Sequence, residues 1–354
     1  MLTYSFHNIG SDSLYEHLYK CIKNDILHGT LTPKTKLPSK RAFAKNLGIS
    51  TITVENAYSQ LIAEGYLYSI PKSGFFVSDI NGYQSHKPEL PLENLIVDAE
   101  PTQYLADFTS NQTSAEVFPF STWAKLMREV ISEHETDLLT NSPSGGILSL
   151  RQAIAQHLKD FRNLQVSPEQ IIVGAGTEYL YGLLIQLLGY DKTYGIENPG
   201  YLKIHKIYQS NHVKSVPVEL DKNGIDLKSL LDNHADILHL SPSHHFPTGI
   251  VTPISRRYEL LGWASEDDDR YIIEDDYDSE FRLNGKPIPT LKSIDVMNKV
   301  IYMNTFTKSL ASTIRISYMV LPTQLANRFY QEMNFYSCTV SNFEQYTLSR
   351  FINE

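Results

Sequence analysis

At 354 residues the chain is long enough for two or three domains with sizeable cores, and 42% apolar against 20% charged residues excludes a disordered chain. No apolar run reaches the length of a membrane span, the first residues lack the basic-then-apolar plan of a signal peptide, and two cysteines, Cys21 and Cys338, exclude a disulfide framework and any CxxC metal site. The expected compartment is the reducing cytoplasm. The net charge of −9 is unevenly spread: residues 1–80 hold eight Lys and Arg against six Asp and Glu, a net of +2, which leaves −11 on the remainder. That balance leaves room for a small N-terminal DNA-binding module, although +2 on eighty residues is ordinary for any domain.

Leu14, Leu18, Ile22 and Ile26 form an i, i+4 apolar row that predicts a first helix, capped by Ser13 with Glu16 three residues on and ended by Gly29. Ser39 is placed to cap a second helix and Ser50 a third, whose Val54, Ala57, Tyr58 and Leu61 mark a core face. Two short runs, 66–70 and 74–77, flank Pro71-Lys72-Ser73 and predict a hairpin. Helix, helix, turn, helix, hairpin is the outline of a winged helix-turn-helix.

Residues 80–105, with Asn-Gly, prolines and scattered charges, read as a linker. Beyond it, strand-like runs at 170–173, 193–197, 214–220, 235–240, 270–274, 300–305 and 315–321 alternate with helical patterns, which predicts a largely parallel α/β sheet. The last residues, 349–354, carry no Gly or Pro stop and read as a cut through an unfinished helix.

Three segments of this second region could carry chemistry. The glycine turn Val173-Gly174-Ala175-Gly176-Thr177-Glu178 opens an apolar helix and could present N–H groups to a phosphate; alone, such a turn is more often just a tight strand-to-helix connection. The acids of Glu274-Asp275-Asp276-Tyr277-Asp278-Ser279-Glu280 follow an apolar strand, where a ligand crevice or a solvated loop is expected; no His stands at metal-ligand spacing. Lys308, in Thr305-Phe306-Thr307-Lys308-Ser309, follows another strand, with Arg315 seven residues on. A lone lysine is usually a surface charge. A phosphate cradle, a carboxylate and a lysine in this order meet the needs of pyridoxal 5'-phosphate, which requires a phosphate site, an acid beside its pyridine nitrogen and an amine for its aldehyde.

With these segments in hand, the chain resembles the MocR subfamily of GntR-type regulators, in which a winged helix-turn-helix (α+β) precedes an α/β fold-type-I aminotransferase-like domain. The resemblance rests on Leu37-Pro38-Ser39-Lys40-Arg41, Ser50-Thr51-Ile52-Thr53-Val54, Gly174-Ala175-Gly176-Thr177-Glu178, Glu197-Asn198-Pro199-Gly200-Tyr201, Pro242-Ser243-His244-His245-Phe246-Pro247-Thr248-Gly249, Glu274-Asp275-Asp276-Tyr277 and Thr305-Phe306-Thr307-Lys308. It implies a DNA-binding domain over residues 1–79, a linker over 80–105 and an aminotransferase class I/II-like domain over 106–354 whose small C-terminal subdomain is incomplete. Within the subfamily the chain looks most like the GABA-responsive regulators, a likeness that leaves the effector open.

The same resemblance implies roles. Lys308 would hold the cofactor as an internal aldimine, Asp275 would pair with the pyridinium nitrogen, and Tyr277 would hydrogen-bond the ring's phenolic oxygen; these three are the candidate catalytic residues. Tyr201 would stack on the ring, and Gly176, Thr177, Thr305 and Arg315 would bind the phosphate. Ser39 and Arg41 would meet DNA phosphates, Ser50, Thr51 and Thr53 would open the helix that faces the major groove, and Lys72, Ser73 and Gly74 would form the wing tip. The implied partners are a double-stranded operator, an amino acid, an amine or pyridoxal phosphate itself as effector, and a second copy in a homodimer; no metal and no membrane are expected.

The chain also departs from the pattern. Phe246 stands where aminotransferases usually have Asn, which leans toward sensing over turnover and implies that any transamination is weak. Thr51 stands where the family usually has Arg, and no carboxylate-binding Arg motif follows Arg315. An active aminotransferase with a DNA-binding appendage is the alternative, and a degenerate fragment is a third. Lys203 and the pair His244 and His245 read as surface and pocket wall.

Overall fold

The computed structural model of the chain describes residues 2–6, 9, 12–80, 116–281 and 289–354. It divides into two compact units, Met1–Gln103 and Tyr104–Glu354. The predicted linker at 80–105 lies, apart from residue 80, outside the described residues.

The first unit runs α1 (Leu14–Leu27), β1 (Lys36–Leu37), α2 (Lys40–Leu47), α3 (Thr51–Ala63), β2 (Leu67–Ile70) and β3 (Gly74–Val77). The predicted caps form. Ser13 N–H and Oγ–H both donate to Glu16 Oε2, at 2.9 and 2.7 Å; Ser39 Oγ accepts from Ala42 N–H and Ser50 Oγ from Thr53 N–H. Each satisfies a donor that the first helical turn would otherwise leave without a partner. Leu18, Ile22 and Ile26 are buried as the i, i+4 row predicts, while Leu14 at its end stays exposed. Tyr58 ties the unit together: its ring packs on Phe43 and edge-on to Phe75, and its hydroxyl donates to Pro38 O at 3.0 Å.

The hairpin forms at β2 and β3, and β1 adds a third strand on β3 that the sequence pattern does not reveal, because two residues are too short for any period to register. At the wing tip Ser73 N–H donates to Ile70 O, and Lys72 takes a positive φ of 64°.

The second unit runs α4 (Phe120–Glu133), α5 (Glu135–Leu138), α6 (Leu148–Arg162), β4 (Ile171–Ala175), α7 (Thr177–Leu188), β5 (Thr193–Asn198), α8 (Leu202–Ser210), β6 (Lys214–Asp221), β7 (Gly224–Ile225), α9 (Leu227–Asp232), β8 (Ile237–Leu240), α10 (Ile254–Ser265), β9 (Tyr271–Asp275), α11 (Leu291–Ile294), β10 (Val300–Thr305), β11 (Ile316–Val320), α12 (Thr323–Glu332) and α13 (Asn342–Asn353). Its eight strands form one sheet in the order β4-β11-β10-β9-β8-β5-β6-β7. From β10 through β6 neighbouring strands are parallel. The sheet is nevertheless mixed, which corrects the largely parallel expectation at its ends: β11 is antiparallel to both β4 and β10, and β7 folds back on β6. An alternating apolar run looks the same in either direction, so strand polarity was not readable from the pattern.

Both faces of the sheet are covered, so the central strands are mostly apolar, with polar residues such as Asp275, Asn304 and Thr305 at their carboxyl ends. Ile301 and Met303 of β10 and Met319 of β11 face α7 and α12, while Tyr302, Ile316 and Tyr318 face α6 and α13. The two-residue period of a strand sends neighbours to opposite layers. The helix α7 buries seven apolar side chains, each worth about 1.5–3 kcal/mol on removal from water. That burial holds the helix start rigidly over the end of β4. In α13, Arg350 lies in the last turn as a basic residue.

Candidate functional site

The strand order gathers the predicted residues at one edge of the sheet. Asp275 is the last residue of β9 and pairs in register with Met303 of β10, so Asp275 and the Thr305–Lys308 segment leave adjacent parallel strands at the same end. Thr305 pairs with Ser317 at the start of β11, and Ile316 pairs with Ala175 at the end of β4. Arg315 and Gly176 therefore meet across an antiparallel pair. In an open α/β sheet this carboxyl edge is where ligands bind.

At the glycine turn, Gly176 has φ +91°, and a Cβ there would lie 2.7 Å from Arg315 Nη2. Only glycine allows both that backbone conformation and the approach of the guanidinium. Thr177 begins α7, whose first N–H groups and dipole favour an anion. The anion present is the Glu178 carboxylate, which accepts from both Arg315 Nη2 and Lys203 Nζ; the two cations hold its pKa below the ordinary carboxylate value. Lys203 is exposed, as expected of a surface lysine, and it also forms an ion pair with Glu178 that its sequence neighbours do not reveal. Thr305 lies buried next to this cradle, its Oγ1 accepting from Ser317 Oγ at 2.8 Å and donating to Thr307 Oγ1.

Asp275 is held from behind. Tyr181 of α7 donates its hydroxyl to Oδ2 at 3.0 Å, and His239 of β8, itself 3.0 Å from the Tyr208 hydroxyl through Nδ1, places Nε2 3.9 Å from the same oxygen. The other oxygen, Oδ1, is buried with no hydrogen-bond partner. A buried carboxylate oxygen without a donor costs about 1–3 kcal/mol or more. A ligand N–H would remove that penalty.

The turn after β9 is locked by a buried network. Asp276 Oδ2 accepts from Arg162 at 2.6 Å and from Tyr302 at 2.7 Å, and Asn304 Nδ2 donates to Ser279 Oγ and Tyr302 Oη. Tyr277 lies on this turn, its hydroxyl donating to His244 O at 3.1 Å; burial and the acids around it raise its pKa to about 12. That bond would have to be shared or exchanged for Tyr277 to reach a ring oxygen.

Across the edge, Tyr201 is half exposed and meets Phe246 edge to face at 6.1 Å. Beneath them Glu197 at the end of β5 accepts from Ser241 N–H at 3.0 Å and lies 3.5 Å from His245 Nε2; burial pushes its pKa up to about 8 and lowers that of His245. Lys308 is exposed on the loop after β10. Tyr181, His239, Arg162 and Glu197 were not singled out in the sequence as site residues. In sequence Arg162 is indistinguishable from any basic residue in a last helical turn, and Tyr181 from any other residue of an apolar helix face.

In the first unit Arg41, Thr51, Lys72 and Ser73 are exposed and Gly74 is half-buried. Ser39 and Ser50 are also exposed, but their hydroxyls are engaged as helix caps. Thr53 Oγ1 is 2.8 Å from Ser50 Oγ, and Lys40 pairs with Glu55 at 2.6 Å.

Two units of this kind, a winged helix-turn-helix and an α/β sheet of the fold-type-I aminotransferase class, define a DNA-binding regulator joined to an enzyme-like domain. Residues 14–77 match the family "Bacterial regulatory proteins, gntR family", and residues 105–353 match "Aminotransferase class I and II". The chain is 39% identical to the HTH-type transcriptional regulator YdeL of Bacillus subtilis, covering 96% of this chain and 73% of that one. It is 32% identical to the probable rhizopine catabolism regulatory protein MocR of Rhizobium meliloti (96% and 72%) and 33% identical to the pyridoxine biosynthesis regulator PdxR of Corynebacterium glutamicum (89% and 67%). Among solved structures, an archaeal alanine:glyoxylate aminotransferase superposes with a TM-score of 0.61 at 24% identity, over 69% of this chain and 62% of that one. The multiple substrate aminotransferase of Thermococcus profundus follows at 0.60 and 25%, over 69% and 63%. The chain therefore belongs to the MocR-type, GntR-family HTH transcriptional regulators that carry an aminotransferase-like domain. The first domain of this family implies DNA binding, and the second implies pyridoxal phosphate binding. No described helix is long and apolar enough to cross a membrane.

Proposed function

We propose that this chain is a pyridoxal-phosphate-dependent transcriptional regulator that senses the cofactor, or an amino compound that reacts with it, through Lys308, and answers by changing its affinity for an operator. The observation that carries this reading is Asp275 Oδ1, buried without a donor at the end of the strand adjacent to the one that leads to Lys308. A pyridinium N–H is a donor of the right kind for it. The second support is the cradle of Gly176, where the chain leaves no room for a side chain in front of Arg315.

Pyridoxal phosphate, when bound, supplies an aldehyde that condenses with primary amines and a ring that withdraws electrons. The chain's residues would do the rest. Lys308 offers the resident amine. Asp275, oriented by Tyr181, would hold a proton on the pyridine nitrogen. Tyr201 would cover one ring face, and Tyr277 would hydrogen-bond the ring's phenolic oxygen on giving up its bond to His244 O. Gly176, Thr177, Thr305 and Arg315 would hold the phosphate, and Arg315, now paired with Glu178, would give that carboxylate up for a dianion that offers more acceptor oxygens. An effector amine would compete with Lys308 for the cofactor, and the signal would be the difference in DNA affinity between the two states. The operator is double-stranded DNA, and the working form a homodimer in the cytoplasm.

The test is fluorescence anisotropy of the DNA upstream of the gene against a scrambled duplex, with and without pyridoxal phosphate, for the parent chain and Lys308→Ala. Tighter binding of the native duplex, shifted by the cofactor in the parent and not in the variant, is the expected result. Equal binding of both duplexes with no cofactor effect overturns it.

A further inference from the structure

We propose that Ile52 reads the C5-methyl group of a thymine in the major groove, and that this apolar contact selects the operator; the inference rests on the DNA-binding reading above. In α3 the core face is Val54, Ala57, Tyr58 and Leu61, all fully buried. At 3.6 residues per turn Ile52 points the opposite way, and it is 69% exposed, the most exposed large apolar side chain among the described residues of its unit. No packing within the unit accounts for a branched aliphatic side chain at that place.

Three of the polar side chains around it are already engaged, while Thr51 and Asn56 stay exposed beside it. Ser50 caps the helix, Thr53 shares a hydrogen bond with Ser50, and Glu55 is paired with Lys40. The position before Ile52 is Thr51, whose short side chain leaves the isoleucine uncovered at the helix tip. The tip of the helix therefore presents an exposed branched apolar group beside hydroxyls that are partly engaged. The start of the second helix of a helix-turn-helix is the part that meets base edges. Of the four bases, only thymine shows the major groove an apolar group, its methyl.

The probe is a duplex selected from a random-sequence pool by the full 354-residue chain. Each thymine is then replaced singly by deoxyuridine, which keeps the base pair and removes only the methyl. Binding is read by anisotropy for the parent, Ile52→Ala and Ile52→Val. The expected result is at least one thymine per half-site whose replacement weakens the parent about fourfold, the worth of one buried methyl. That loss vanishes in Ile52→Ala and is partly kept in Ile52→Val. The exposed position leaves the fold intact, which circular dichroism checks. If a sequence is enriched but every deoxyuridine substitution affects parent and Ile52→Ala alike, the assignment to Ile52 is wrong while DNA binding stands. If no sequence is enriched, the DNA-binding reading fails and this inference with it.

Discussion

The hydroxyl of Tyr181 donates to Oδ2 of Asp275 at 3.0 Å across 94 residues of chain, leaving Oδ1 as the one oxygen of that carboxylate still to be paired. The bond orients the carboxylate along the sheet edge. Tyr181→Phe removes the donor and leaves a second buried oxygen unsatisfied, at about 1–3 kcal/mol. Pyridoxal phosphate titrated by absorbance should bind the variant roughly five- to tenfold more weakly, if about 1 kcal/mol of that penalty falls on the bound state. Unchanged affinity would remove Tyr181 from the site.

Arg162 and Asp276 form a buried ion pair, with Tyr302 as second donor to the same oxygen. Arg162→Met strands the carboxylate, and breaking a buried pair by removing one partner costs about 3–5 kcal/mol. Urea denaturation should show that loss. Adding Asp276→Leu to Arg162→Met should recover part of it, because the stranded charge is gone; a double variant no better than the single one contradicts the pairing.

Gly176→Ala sets a Cβ against the Arg315 guanidinium at a φ of +91°. Strain of about 1–2 kcal/mol is expected from the backbone alone. Arg315 must also move, so inorganic phosphate and pyridoxal phosphate should both bind less tightly by isothermal titration. If the two ligands bind as before, the cradle is not where the phosphate sits.

Glu197 carries a pH dependence. Its folded pKa, about 8, lies above the ordinary value of 4.5 because burial penalises the charge. Between these values the folded chain keeps a proton that the unfolded chain has lost. Stability therefore falls as pH rises from about 4.5 to about 8, by at most about 1.4 kcal/mol per pH unit from this group, and levels off above. Buried Glu274, raised to about 7, adds a slope of the same sign. Chemical denaturation at pH 5.5 and 7.5 should show a smaller loss of stability in Glu197→Gln than in the parent. An identical loss would mean that Glu197 is ionised at neutral pH.

What could be read in advance was local. The three serine caps were legible because the cap and the N–H it satisfies lie two or three residues apart. The strands after residue 170 were legible as apolar runs with turn signals, and Asp275, Lys308 and the Gly176 turn stood out because each follows such a run. Tyr181 had no such mark, since a tyrosine on an apolar helix face looks the same whether its hydroxyl meets water or a carboxylate. The ion pair of the exposed Lys203 is hidden for the same reason, its partner Glu178 being 25 residues away.

By itself the sequence determined two domains, the helix boundaries of the first, the strand positions of the second and the residue types at the strand ends, because caps, periodicity and turns act over a few residues. Only the tertiary structure decided which of those ends meet. The order β4-β11-β10-β9, with β11 reversed between two strands, brings Arg315 to Glu178 across 137 residues and Arg162 to Asp276 across 114. It also decided that one oxygen of Asp275 is paired and the other is not. Such contacts depend on strand order and polarity, and a pattern that repeats every two residues is the same for either direction and any neighbour.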